Sequence, residues 1–91
     1  MKRILKYELD IIDYQDLVLS ENSKILSVEN QRDTIVLYAI TDGTSPSPCH
    51  YSIFIFGTGH PADNAIGAQF IGTVSLRNGS LMLHVFARRE S

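Results

Sequence analysis

A chain of 91 residues with 44% apolar and 20% charged side chains and a net charge of −2 is expected to make one small globular domain, and a wholly disordered chain does not fit that composition. No apolar run approaches the roughly 20 residues of a membrane-spanning helix, and no basic stripe of the kind that duplex DNA requires is present. Cys49 is the only cysteine, so an internal disulfide is excluded, and one thiol suits a reducing cytoplasm.

The opening, Met1 to Tyr7, carries basic residues but no long apolar stretch and no small-residue cleavage site, so no secretory signal is expected. The dominant period along the chain is two, which predicts strands. Residues 3–9 alternate, with Leu5, Tyr7 and Leu9 on one side and Lys6 and Glu8 on the other. Asp13 to Leu19 reads as a second strand, and Ser20 to Ser23 is turn material. Lys24 to Asn30 is the third strand, with Leu26 and Val28 expected inward, and Asn30-Gln31-Arg32-Asp33 is a polar hairpin turn.

Residues 34–41 are apolar on both faces, which predicts a central strand covered on two sides. Asp42 to Pro48, with a glycine and two prolines, is the most loop-like segment. Cys49 to Phe56 resumes as a strand, with Tyr51, Ile53 and Ile55 opposite Phe54 and Phe56. A glycine-rich loop, Gly57-Thr58-Gly59-His60-Pro61, follows, and Pro61 is placed to open one helical turn.

The last hairpin is the firmest local reading. Asn78-Gly79 tolerates the positive φ angles of a tight type I′ turn. That turn sets Leu76 against Leu81, Val74 against Leu83 and Gly72 against Val85 on one face, with Thr73 against His84 and Ile71 against Phe86 on the other. Seven short strands in all predict a mainly β fold, a small antiparallel β-sandwich or flattened barrel in one domain over residues 1–91.

Charge is unevenly spread. Lys2, Arg3 and Lys6 open the chain, and residues 8–42 carry Glu8, Asp10, Asp13, Asp16, Glu21, Glu29, Asp33 and Asp42 against Lys24 and Arg32. This is either a solvated surface or an acidic face for a basic partner. The loop from Gly57 to Pro61 is the most distinctive stretch. Gly57, Thr58, Gly59 and His60, together with His84, are the candidate ligand-binding residues, because two glycines let backbone N–H groups converge on an anion. The loop is neither a P-loop, lacking Gly-Lys-Ser/Thr, nor a dinucleotide fingerprint, since position 62 is alanine. A plain structural turn is the competing reading.

His50, His60 and His84 have no metal-ligand spacing, and Cys49 and His50, being adjacent on a strand, point to opposite faces. Cys49, His60 and Asp63 could be cast as nucleophile, base and orienting group, but nothing in the sequence places them together. No enzyme activity, metal or cofactor is expected. Tyr14, Tyr38, Tyr51, Phe54, Phe56, Phe70 and Phe86 are expected to pack in the core, and their strands lack the basic neighbours of a single-strand nucleic-acid platform.

Ile4-Leu5-Lys6-Tyr7-Glu8-Leu9, Lys24-Ile25-Leu26-Ser27-Val28, Phe56-Gly57-Thr58-Gly59-His60-Pro61 and the closing Phe70-Ile71-Gly72-Thr73-Val74, Gly79-Ser80-Leu81 and His84-Val85-Phe86 occur in that order. Over nearly its whole length the chain resembles a family of small tailed-bacteriophage and prophage proteins without an assigned activity. Many of those carry a tryptophan in the fourth strand, where this chain has Tyr38. The resemblance implies a phage setting and an accessory role in the cytoplasm of an infected bacterium. The expected mode of action is binding, by blocking a host protein, such as a defence component, or a phage partner. The alternatives are a sponge for a nucleotide-type anionic small molecule at Gly57–Pro61, or a minor virion component. Unpaired edge strands also make self-association an expectation.

Overall fold

The computed structural model describes residues 1–42 and 47–90. Seven strands run in chain order: β1 (Lys2–Leu9), β2 (Tyr14–Ser20), β3 (Lys24–Gln31), β4 (Thr34–Asp42), β5 (Pro48–Gly57), β6 (Gln69–Leu76) and β7 (Leu81–Arg89). They form two antiparallel sheets, a three-stranded one in the order β1-β4-β3 and a four-stranded one in the order β2-β5-β7-β6. The mainly β sandwich expected from the alternation is therefore what the chain adopts. No helix among the described residues is long and apolar enough to cross a membrane.

The core lies between the sheets. Leu9, Val28, Ile35, Leu37 and Ala39 come from the three-stranded sheet, and Ile53, Ile55, Val74, Leu76, Leu83 and Val85 from the four-stranded sheet. Each Val, Leu or Ile among them stabilises the fold by about 1.5–3 kcal/mol when fully buried. Cys49 is also buried, with its side chain on this inner side. β4 is the central strand of its sheet, as its apolar run predicts. Only its inner face is fully covered, however: on the outer face Val36 is buried while Tyr38 and Ile40 are half-buried.

One edge of each sheet closes against the other. Asn30 of β3 donates its side-chain amide to the Ser75 carbonyl of β6 at 2.7 Å. A Cβ on Gly72 would stand 3.0 Å from Val28 Cγ2, so glycine lets the two edges approach. The turns at that end interlock too. The Arg77 N–H donates to Asp33 Oδ1 at 2.7 Å, and the Asp33 N–H to Asn30 Oδ1 at 2.8 Å. At the opposite corner Ser20 and Ser23 share the buried Thr41 hydroxyl.

The final hairpin keeps the expected inner pairs, Leu76 with Leu81, Val74 with Leu83 and Gly72 with Val85. Asn78 and Gly79 take φ of 54° and 89°, and the Ser80 N–H closes the turn on the Arg77 carbonyl. Three expectations need correction. A bulge between Phe70 and Gly72 sets Phe70, not Ile71, opposite Phe86. A second bulge between Ile25 and Ser27 turns Leu26 outward to 43% exposure, while Ile25 and Val28 face the core. One extra residue shifts the face of everything beyond it, which strict alternation cannot foresee. The helical turn after Pro61 begins later, at Asp63, and is a 3-10 turn through Ala65. Most of the expected Ser-Pro loop, residues 43–46, lies outside the described residues.

Candidate functional site

The outer face of the four-stranded sheet carries a band of aromatic side chains among its polar ones. Strand register aligns one residue from every strand into a single row: Tyr14 faces Phe54, Phe54 faces Phe86, and Phe86 faces Phe70. Paired residues on adjacent antiparallel strands project to the same side. Ile53, Ile55, Val85 and Ala87 occupy the intervening inner positions, so the row must point away from the core. Phe56 joins it from the next outward position of β5. The ring centroids then run in sequence from Tyr14 to Phe54 at 5.6 Å, Phe54 to Phe56 at 6.5 Å, Phe56 to Phe86 at 5.7 Å and Phe86 to Phe70 at 5.3 Å.

This corrects the expectation that the aromatics pack between the sheets, although Phe54, within the outer row, is buried. Of the seven, only Tyr51 packs against the core cluster, and burial beside Cys49 pushes its phenol pKa up. Nor do the strands lack a basic neighbour. Arg88 lies over the Phe54 ring, 5.2 Å from its centroid. Its guanidinium is also held by Glu90, with Nη2 to Oε2 at 2.9 Å and Nε to Oε1 at 3.1 Å, while Ser52 Oγ donates to Glu90 Oε2 at 2.5 Å. The bond from Arg88, then that from Ser52, holds the Glu90 carboxyl below its ordinary range.

The loop after β5 crosses this aromatic face. The His60 N–H bonds back to the Gly57 carbonyl at 3.1 Å, closing a tight turn in which Gly59 has φ of 86°. A Cβ on Gly57 would meet His60 Nδ1 at 2.9 Å, so glycine at 57 is what lets the imidazole fold down over the strand end. Thr58 reaches His84 on β7, with Oγ1 and Nε2 2.7 Å apart. Thr73 on β6 holds the other ring nitrogen, Nδ1, at 2.9 Å. A neutral imidazole carries one donor and one acceptor, and a hydroxyl serves as either, so both nitrogens of His84 are satisfied.

A hollow of about 310 Å³ lies on the Phe70 side of the loop. Phe56, Phe70 and Phe86 line it, with Thr73, Ala62 and all five sequence candidates: Gly57, Thr58, Gly59, His60 and His84. A second hollow of about 310 Å³ lies on the Tyr14 side, sharing Phe56 and His60 and bounded by Pro61 and Asn64. The structure therefore brings the five candidates together, and adds the three phenylalanines that the sequence reading assigned elsewhere. Their signal was present in the hairpin alternation, where Phe86 shares the side of His84 and not that of Leu83 and Val85.

The chain belongs to the DUF7352 family. The model of that family, a domain of unknown function, matches residues 1–91. No curated protein and no solved structure matches the chain. What this DUF7352 domain can do must therefore be read from its surface.

The hollow beside Phe70 has an aromatic floor, a threonine and histidine wall and no Lys or Arg among its lining residues. Flat apolar groups fit it better than multiply charged ones, because burying a phosphate needs paired positive charge. The His60 N–H, which an anion nest would use, is spent on Gly57. Cys49 lies near the start of β5 while His60 packs against Gly57 at its other end, so these two of the Cys49, His60 and Asp63 trio are not brought together. His50 lies near the far end of β5 and contacts Asp16 at 3.2 Å. Among the described residues no group of three or more His, Cys, Asp or Glu side chains is arranged to hold a metal.

Proposed function

We propose that this protein is a small phage-encoded accessory protein that acts by binding rather than catalysis, and that it holds a partner protein on the outer face of its four-stranded sheet. The phage setting and the infected-cell cytoplasm come from the family resemblance. The binding face comes from the aromatic row. The single observation that carries it is Phe70: it ends the chain of rings, borders the hollow and is 54% exposed. Tyr14, at the other end of the row, is 53% exposed. Large aromatics on a surface, flanked by hydrogen-bonding groups, are the usual anchors of protein interfaces. An apolar or aromatic side chain from a host or phage protein would enter the hollow beside Phe70. Blocking that protein is the effect such docking would have.

Phe70→Asp removes the anchor and places a charge on the rim without touching the core. Wild-type protein should retain a discrete partner from infected cells, and Phe70→Asp should lose it while keeping its melting temperature. Equal retention by both proteins would refute the reading. A nucleotide-type ligand is the weaker use of the same hollow, and a panel of nucleotides and cyclic oligonucleotides that raises the melting temperature would favour it.

A further inference from the structure

β1 is an open edge. It pairs with β4 along its whole length, Lys2 with Asp42 through Leu9 with Ile35, and no described strand pairs with its other side. Its exposed backbone groups can accept another strand. Exposure along the strand is graded. Leu9 is buried, but Ile4 is 62% exposed and the inward-facing Leu5 is 43% exposed. The four-stranded sheet therefore does not cover the first half of β1, which leaves both its edge and its inner face accessible.

We propose that β1 pairs antiparallel with the β1 of a second copy of this chain, centred on Leu5 against Leu5. A two-fold axis perpendicular to the sheet keeps each face on its own side, so only registers centred on a residue are allowed. Charge chooses among them. Centring on Leu5 sets Lys2 opposite Glu8 twice, Arg3 opposite Tyr7 twice, Ile4 opposite the aliphatic stem of Lys6 twice, and Leu5 against itself. Centring on Ile4 sets Lys2 against Lys6, centring on Lys6 sets that lysine against itself, and centring on Arg3 does the same to the arginine. Like charges directly opposite are unfavourable. Centring on Tyr7 would oppose Lys6 and Glu8, but it pairs only residues 5–9, spends itself on Leu9, which is already buried, and leaves Ile4 uncovered. The Leu5 register alone combines matched charge with cover for the exposed apolar half. The product is a continuous six-stranded sheet, β3-β4-β1-β1-β4-β3. The inference is independent of the aromatic face.

Leu5→Cys provides the direct test. Facing residues at a two-fold have Cα atoms about 4.5–5.5 Å apart, within disulfide range. Mild oxidation should convert Leu5→Cys to a covalent dimer, while Arg3→Cys and Tyr7→Cys should not cross-link. The native Cys49 is buried. In sedimentation equilibrium, Lys2→Glu should weaken association roughly tenfold by reversing two facing pairs, and Lys2→Glu with Glu8→Lys should restore it. A protein monomeric at every concentration, or a dimer indifferent to these charges, or cross-linking through position 3 or 7 instead of 5, would overturn the proposal.

Discussion

Thr58 and His84 meet at 2.7 Å, which ties the loop after β5 to β7 and fixes the wall of the aromatic hollow. Thr58→Val keeps the size of the side chain and removes that bond. A hydrogen bond of this kind contributes about 0.5–1.5 kcal/mol, so urea denaturation should show a loss in that range. Amide exchange at His60 and Ala65, whose N–H groups bond to Gly57 and Ala62, should accelerate well beyond that of the core strands.

Gly72 and Val28 mark the close approach of the two sheet edges. A new Cβ at 72 would stand 3.0 Å from Val28 Cγ2, so Val28 must yield even to alanine. Gly72→Val adds two further carbons there. Overpacking typically costs about 1–3 kcal/mol, and the melting temperature should fall more for valine than for alanine. Gly72→Val with Val28→Ala should recover part of the loss.

Arg32 and Asp33 turn β3 into β4 with φ of 54° and 61° and no glycine. An arginine in that left-handed region pays a backbone penalty that asparagine largely avoids. Arg32→Asn should therefore raise the unfolding free energy by about 0.5–1 kcal/mol, measured by chemical denaturation. At Asp33 the same change would exchange the charged acceptor of the Arg77 N–H for a neutral one, which weakens that bond.

Glu90 links acid stability to the aromatic face. Its folded pKa lies below the ordinary value of 4.5, chiefly through the bond from Arg88 and then that from Ser52. The native state therefore binds that proton less readily than the unfolded chain. The stabilisation is present above the unfolded pKa and is lost as pH falls through the folded one. The stability gap between wild type and Glu90→Gln should be constant near neutral pH and close in the acid range.

How much of this was legible in the sequence depends on what period two can carry. The Leu76 to Val85 face was readable, because Asn78-Gly79 fixes the turn and alternation fixes the rest. The five loop and strand candidates around Gly57 were also readable as a group, since glycines beside histidine and threonine stand out. Ile25, Leu26 and Ile71 were misjudged or missed because each lies at a bulge, and a bulge leaves no mark in the alternation. The aromatic face was missed for a different reason. β5 is apolar at Ile53 and Ile55 and equally apolar at Phe54 and Phe56, so its sequence alone does not say which side is the core. That choice is made by β7, where Leu83 and Val85 take the inside and leave His84 and Phe86 to the outside.

The central claim, that the aromatic side of the four-stranded sheet is where a partner sits, is best tested by photo-cross-linking in infected cells. A benzophenone side chain would replace Phe70 in one protein and Tyr38, on the outer face of the other sheet, in a second. The expected result is a discrete adduct to another protein from position 70 and none from position 38. An adduct from position 38 alone, or none from position 70 with the folded protein present at normal levels, would contradict it.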